Sequence, residues 1–165
     1  MARIDGSSPT RPVRVATPLG TLELLLPEDG ALAPDPGVAD GEMLVWAPAP
    51  ELGSFSVSHG PAAGRRAEDL LSLERGFADA VDVEADDGEE LRLRIETRGT
   101  RDIVEDPSGG RTGSSERTRR ERVRFRFWES GDDAVRAGYR LDESAPADLH
   151  AAFDRVTDSA RLEPA

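Results

Sequence analysis

Between Val81 and Leu141 the apolar residues fall on odd positions, and this alternation constrains the chain more than anything else in it. Val81 and Val83 come first, followed by Leu91, Leu93 and Ile95. Val123, Phe125 and Phe127 form the next set, and Val135, Ala137, Tyr139 and Leu141 the last. A period of two belongs to a strand with one face turned to a core, and a one-residue slip turns every such side chain to the other face. If all four segments share one core, residues paired across neighbouring strands have equal parity, and each hairpin loop has an odd number of residues. Asp86-Asp87-Gly88 fits a three-residue loop with Gly88 in the left-handed position, which predicts Asp82 opposite Arg92 and Val83 opposite Leu91. Ser130-Gly131-Asp132 predicts a second such hairpin, with Phe127 opposite Val135. Between the two lies 105–116, rich in Gly, Ser and Pro, which reads as a long flexible hairpin loop.

The flanking segments complete an α+β pattern. Pro12–Ala16 suggests an edge strand, and Thr21–Leu26, Met43–Ala47 and Phe55–His59 read as strands bounded by Pro and Gly. Residues 31–41, with two prolines and two glycines, read as a loop. A first helix is expected between Pro61 and Ala80, with Leu70, Leu73 and Phe77 on one buried stripe. A second spans about Ala145 to Ser159, with Ser144 as N-cap, Asp148 in the first turn, and Leu149, Phe153 and Val156 on one face. Strands, helix, antiparallel strands and helix follow one another without βαβ alternation, so the expected fold is a curved, mainly antiparallel sheet with two principal helices. Residues 1–10 read as a disordered tail and 11–162 as a single domain.

Composition narrows the chemistry. The chain has 165 residues, enough to bury roughly 68–70% of its unfolded surface. It contains no cysteine, which excludes disulfides and thiolate metal sites. No apolar run approaches the ~20 residues of a membrane-spanning helix, and the polar start, Met1 to Thr10, lacks the apolar stretch of a secretory signal. A cytoplasmic protein is the expectation. The net charge of −12 argues against nucleic acid as a partner, although all 21 basic residues are arginine. His59 and His150 have no metal-ligand spacing. Ser56, Ser58 and Ser72 lie in no GxSxG motif, and Gly109, Gly110 and Gly113 have no Walker lysine. Asp86-Asp87 and Asp132-Asp133 read as turn formers, since no EF-hand spacing accompanies them. No catalytic residue, metal or cofactor is expected.

The even positions carry the candidate site. If odd residues face the core, then Arg92, Arg94, Arg122, Arg124, Arg126, Trp128, Arg136 and Arg140 form one outward, arginine-lined face. Like charges opposite one another across strands repel. Three arrangements relieve the repulsion: stems spread over the sheet with heads in water, ion pairs to Asp82, Glu84, Glu96 or a covering segment, or an acidic partner or anionic ligand.

Two stretches resemble a known superfamily. Leu24 to Gly30, reading LLLPEDG, resembles the early strand and turn of Mog1/PsbP-like proteins, which include the DcrB-like domains. Phe153 to Leu162, reading FDRVTDSARL, resembles their closing helix and final segment. The resemblance implies a Mog1/PsbP-like sandwich of sheet and helices and a protein-binding role. Members of that group serve as nuclear-transport adaptors, photosystem subunits and chaperones of secreted bacterial effectors, so the fold leaves the task open. The expected function is a non-catalytic protein-binding module, an adaptor or chaperone, whose partner is another protein with an acidic surface; a homo-oligomer is compatible with this. The competing expectations are a small enzyme or ligand-binding domain for an anionic molecule, and an immunity protein.

Overall fold

The computed structural model describes residues 9–35, 43–104 and 112–164. In chain order the elements are β1 (Thr10–Thr17), β2 (Gly20–Pro27), β3 (Ala33–Pro34), β4 (Met43–Trp46), β5 (Gly53–Pro61), α1 (Ala67–Phe77), β6 (Ala80–Asp86), β7 (Glu90–Val104), β8 (Thr112–Ser130), β9 (Asp133–Asp142), α2 (Ala147–Ser159) and β10 (Arg161–Pro164). The fold is α+β and its sheets are antiparallel, as expected. A three-stranded sheet runs β1-β2-β10, and a seven-stranded sheet runs β3-β4-β5-β9-β8-β7-β6. Thr10 already belongs to β1, and β8 begins at Thr112, so the expected tail and the expected 105–116 loop are both shorter at those ends. Residues 1–8 and 105–111 of those two segments lie outside the described residues, as does 36–42 of the expected 31–41 loop, of which Ala33–Pro34 forms a strand. Among the described residues no helix is long and apolar enough to cross a membrane.

The parity rule holds at one junction and fails at the next. Across β7 and β8, Leu91 faces Phe125 and Leu93 faces Val123, odd against odd. The β8–β9 turn, however, is the two-residue Gly131-Asp132, with Gly131 at φ 60 and Ser130 paired to Asp133. An even loop reverses the face. Trp128, not Phe127, stands opposite Val135, and Arg124 stands opposite Tyr139. The odd residues of β9 therefore share a face with the arginines of β8. The β6–β7 turn is shifted along the chain from the expected one: the strands end at Asp86 and begin at Glu90, Asp86 pairs with Leu91, and Gly88 sits at φ 87. There a bulge at Glu84 restores the register, and Val83 meets Leu93 instead of Leu91, while Arg92 meets Ala85 instead of Asp82.

Two cores follow, one on each face of the large sheet. On one face, Phe55 and Val57 of β5 and Val135, Ala137, Tyr139 and Leu141 of β9 pack against α2 and the small sheet. α2 contributes Leu149, Ala152, Phe153 and Val156, and β2 contributes Leu22, Leu24 and Leu26. Phe153 is fully buried, 5.1 Å from the ring of Trp46 and 5.5 Å from that of Tyr139. The N-cap of α2 is Pro146; Ser144 instead donates through its backbone N and Oγ to Asp142 Oδ1. On the opposite face, Leu91, Leu93, Ile95, Val123 and Phe125 form a smaller core with Leu70 of α1. Phe127 lies at its margin, half-buried.

α1 is rotated from the expected stripe. It turns Leu70 and Glu74 inward and leaves Leu73 53% and Phe77 78% exposed. The cause is a charge: Glu74, 4% exposed, pairs with Arg140 on β9.

Candidate functional site

The eight residues expected on one face are divided between two. Arg92, Arg94, Arg122, Arg124, Arg126 and Trp128 lie on the α2 face, beside the apolar row of β9. Arg136 and Arg140 lie on the α1 face, because the two-residue turn exchanges the faces of β9.

On the α2 face the arginines are held within the molecule. Arg124 is only 6% exposed, under the edge of α2. Its guanidinium pairs with Glu90, with Asp154 Oδ1 at 3.2 Å and with Asp158 Oδ1 at 2.5 Å. Burial works against its charge, but the hydrogen bonds to Asp158 and Glu90 outweigh it and raise its pKa. Asp154 also accepts from the Tyr139 hydroxyl at 2.6 Å. Burial, then that hydrogen bond, pushes the Tyr139 pKa upward. Arg122 lies 4.0 Å from Asp154 Oδ2 and 3.5 Å from His150 Nδ1. Nε2 of His150 donates to the Glu143 carbonyl at 3.3 Å, which leaves Nδ1 as the acceptor. Arg126 donates to the carbonyls of Thr157 and Ala160 at the end of α2 and lies 5.1 Å over the Trp128 ring. Arg94 pairs with Glu143 at 2.9 Å and Glu84 at 3.7 Å, and Arg92 with Glu90 at 3.3 Å. The arrangement is that of ion pairs, in part within the sheet to Glu84 and Glu90 and in part to Glu143 and the covering helix α2.

The α1 face is less fully covered. α1 packs against β6 and β7, and beyond its last turn lies an open cleft of about 1410 Å³. Glu74 and Phe77 of α1 and its C-cap Ala78 form one wall; Arg119 and Glu121 of β8 and Arg140 of β9 lie along the floor. Arg140 bridges two buried carboxylates, Glu74 and Glu121, the second at 3.3 Å. Burial raises the Glu121 pKa, Arg119 opposes the shift, and Asp142 adds to it. The charges in the floor thus largely answer one another, while Phe77 in the wall meets water. Beyond the cleft, β7 and β8 continue as a two-stranded ribbon from the Thr97–Arg119 pair to Val104–Thr112.

Glu74 and Glu121 were not distinguished by the sequence. Neither lies in a motif, and both are buried through a contact that spans α1, β8 and β9. Phe77 was assigned to the core because its spacing from Leu70 is helical; spacing does not say how wide a stripe the sheet can cover. Among the described residues no three His, Cys, Asp or Glu side chains are grouped to hold a metal. His59 and His150 lie on β5 and α2, and Ser56 and Ser58 are buried on β5.

No family model matches the sequence, and no curated protein matches it. The fold is similar to the solution structure of cyanobacterial PsbP (CyanoP) from Synechocystis sp. PCC 6803, at 12% identity and a TM-score of 0.49, over 99% of each chain. That likeness, at such identity, is one of fold.

Proposed function

We propose that the chain is a non-catalytic protein-binding module, an adaptor or chaperone, and that its partner docks on the α1 side of the large sheet. The observation that carries this reading is the exposure of Leu73 and Phe77, four residues apart on α1 and turned away from the small core, with Phe77 in the wall of the cleft. Large apolar side chains grouped in the open beside polar groups are the usual mark of an interaction surface. The arginine row on the α2 face supports the role less well, since its guanidinium groups are already paired. Arg119 and Arg140 in the cleft floor are likewise paired, with Glu121, Asp142 and Glu74, so the docking rests on the apolar wall rather than on a free cation.

The test is a paired substitution, Leu73→Asp with Phe77→Asp. Both positions are exposed, so stability should change by no more than about 0.5 kcal/mol. Partners captured by the wild-type chain from its host should be lost, and Arg92→Glu with Arg94→Glu should still retain them. The reading fails if the α1 variant captures the same partners as the wild type.

A further inference from the structure

Building on the docking surface proposed above, we infer that the partner enters the cleft as an extended segment and adds a strand to the open edge of β8 at Thr118 and Arg120. β9 pairs with β8 only as far as Asp142 opposite Glu121. From Arg120 outward, β7 is the only strand beside β8 among the described residues. The backbone bonds nearby tell which groups the open edge presents. The Phe127 N–H donates to the Glu89 carbonyl on the β7 side, and the Arg120 carbonyl accepts from the Glu143 N–H on the β9 side, each at 2.9 Å. The β7–β8 register runs without a bulge. In an antiparallel ladder the N–H and C=O of one residue point the same way, and the direction alternates along the strand. Odd residues of β8 therefore bond to β7, and even ones face the open edge.

The two edges of this ribbon differ at its root. On β7, Asp79 closes the edge: its Oδ2 accepts from the Arg98 N–H, and its own N–H donates to the Glu96 carbonyl at 2.9 Å. The β8 edge has no such plug. Glu143 gives its N–H to Arg120, but its carbonyl accepts from His150 Nε2 at 3.3 Å as the chain turns towards α2. The Arg120 N–H and both backbone groups of Thr118 are left without a backbone partner among the described residues, and both residues are exposed. Donors and acceptors at strand spacing are met by another backbone. A strand laid there continues the line of β9. Its alternate side chains fall on the α1 face, where Phe77 stands exposed in the same cleft. The occupant is thus an extended segment of another protein with apolar residues at alternate positions. Charge does not select it, since Arg119 and Arg120 are paired with Glu121, Asp142 and Glu96. A second copy of this chain fits badly, because β8 paired with itself about Thr118 would set Arg117 of each copy opposite Arg119 of the other.

The test uses the full chain and random peptides of about eight residues, the length of a strand, displayed on phage. Selected peptides should carry apolar residues at alternate positions. Thr118→Pro should weaken their binding by about tenfold or more. Proline there removes only an outward N–H, which an edge strand tolerates, so the β7–β8 ladder should persist. In the wild-type chain, peptide binding should slow amide hydrogen exchange at Thr118 and Arg120 but not at Arg119, which already bonds to β7. That measurement decides the matter even if Thr118→Pro folds poorly. Peptides that bind Thr118→Pro equally well, without slowing exchange at Thr118 and Arg120, overturn the added strand. If those peptides still need Leu73 and Phe77, the docking surface stands and only its strand form is lost. A selection that yields no binder, or binders with apolar residues at helical spacing, also overturns it. So does slowing of the two amides by raised chain concentration alone, which would identify a second copy as the occupant.

Discussion

The two faces of the seven-stranded sheet are built from the same strands and solve opposite problems. On the α2 face, β5 and β9 are apolar and are sealed by α2 and the small sheet, while β7 and β8 present arginines. On the α1 face the halves are exchanged: β7 and β8 are apolar, and β5 and β9 present Ser56, Ser58, Arg136 and Arg140. The larger core joins segments from β1 to the close of α2, and Phe55, Tyr139 and Phe153 in it are fully buried. The smaller is drawn from α1, β7 and β8, and its cover is one helix that leaves two apolar residues in water. A helix lying over an apolar half-face needs something to anchor it to the charged half beside it. α2 does this through Asp154 and Asp158 on Arg124, and α1 through Glu74 on Arg140. The same device serves both faces, but only the α2 side is closed.

That contrast can be broken by deletion of one ring from each core. Phe153→Ala should cost roughly 3–5 kcal/mol, the usual range for a fully enclosed phenyl ring. Phe125→Ala, at 9% exposure in the smaller core, should fall at or below the lower end of that range. Chemical denaturation of both variants decides the matter, and a larger loss at Phe125 would overturn the ranking of the cores. Next in size comes the anchor of α2. Arg124→Met leaves Glu90, Asp154 and Asp158 facing one another without a cation. Breaking a buried pair costs 3–5 kcal/mol, but Asp154 and Asp158 keep contact with solvent, so about 2 kcal/mol is expected. A neutral or stabilising effect would mean that apolar packing alone holds α2.

The smallest effect is a pH dependence on the α1 side. The native state raises the Glu121 pKa and so binds its proton more tightly than the unfolded chain does. The associated stability is fully present below the ordinary glutamate value of about 4.3 and is lost as pH rises through the raised native value. Wild type should therefore lose stability relative to Glu121→Gln as pH rises through that window. Parallel denaturation series of the two proteins from pH 4 to 7 would show it, and a difference that stays flat with pH would remove Glu121 from the account.

Much of this arrangement was legible in the sequence. Leu91, Leu93, Ile95, Val123 and Phe125 are buried on one face, as their alternation requires. The strands β2, β4 and β5 and both helices were marked by their bounding Pro and Gly residues. The number of cores was not legible, because Ser130-Gly131-Asp132-Asp133 can close as a two- or a three-residue loop, and the choice decides whether β9 keeps or exchanges its faces. β10 was missed because four residues with two charges carry no period; its pairing with β2 depends on the end of α2 lying over that strand. The arginines were correctly placed on the even positions of β7 and β8, but their partners were hidden. Asp154, Asp158 and Glu143 lie far along the chain and reach the sheet only when α2 folds over it.

The turn at Gly131-Asp132 also sets which changes of length the chain can tolerate. A third residue there would still close a hairpin, since three-residue loops also join antiparallel strands. It would nevertheless oppose the faces of β8 and β9. Either Tyr139 and Leu141 would leave their seat against α2, or Arg124 would leave its three carboxylates. Single insertions and deletions at this point are therefore costly, whereas paired ones, or one matched by a bulge within β9, preserve the exchange of faces. At the β6–β7 turn the bulge at Glu84 already absorbs an odd residue. Of two hairpins with similar loops, one can gain or lose a residue quietly and the other cannot.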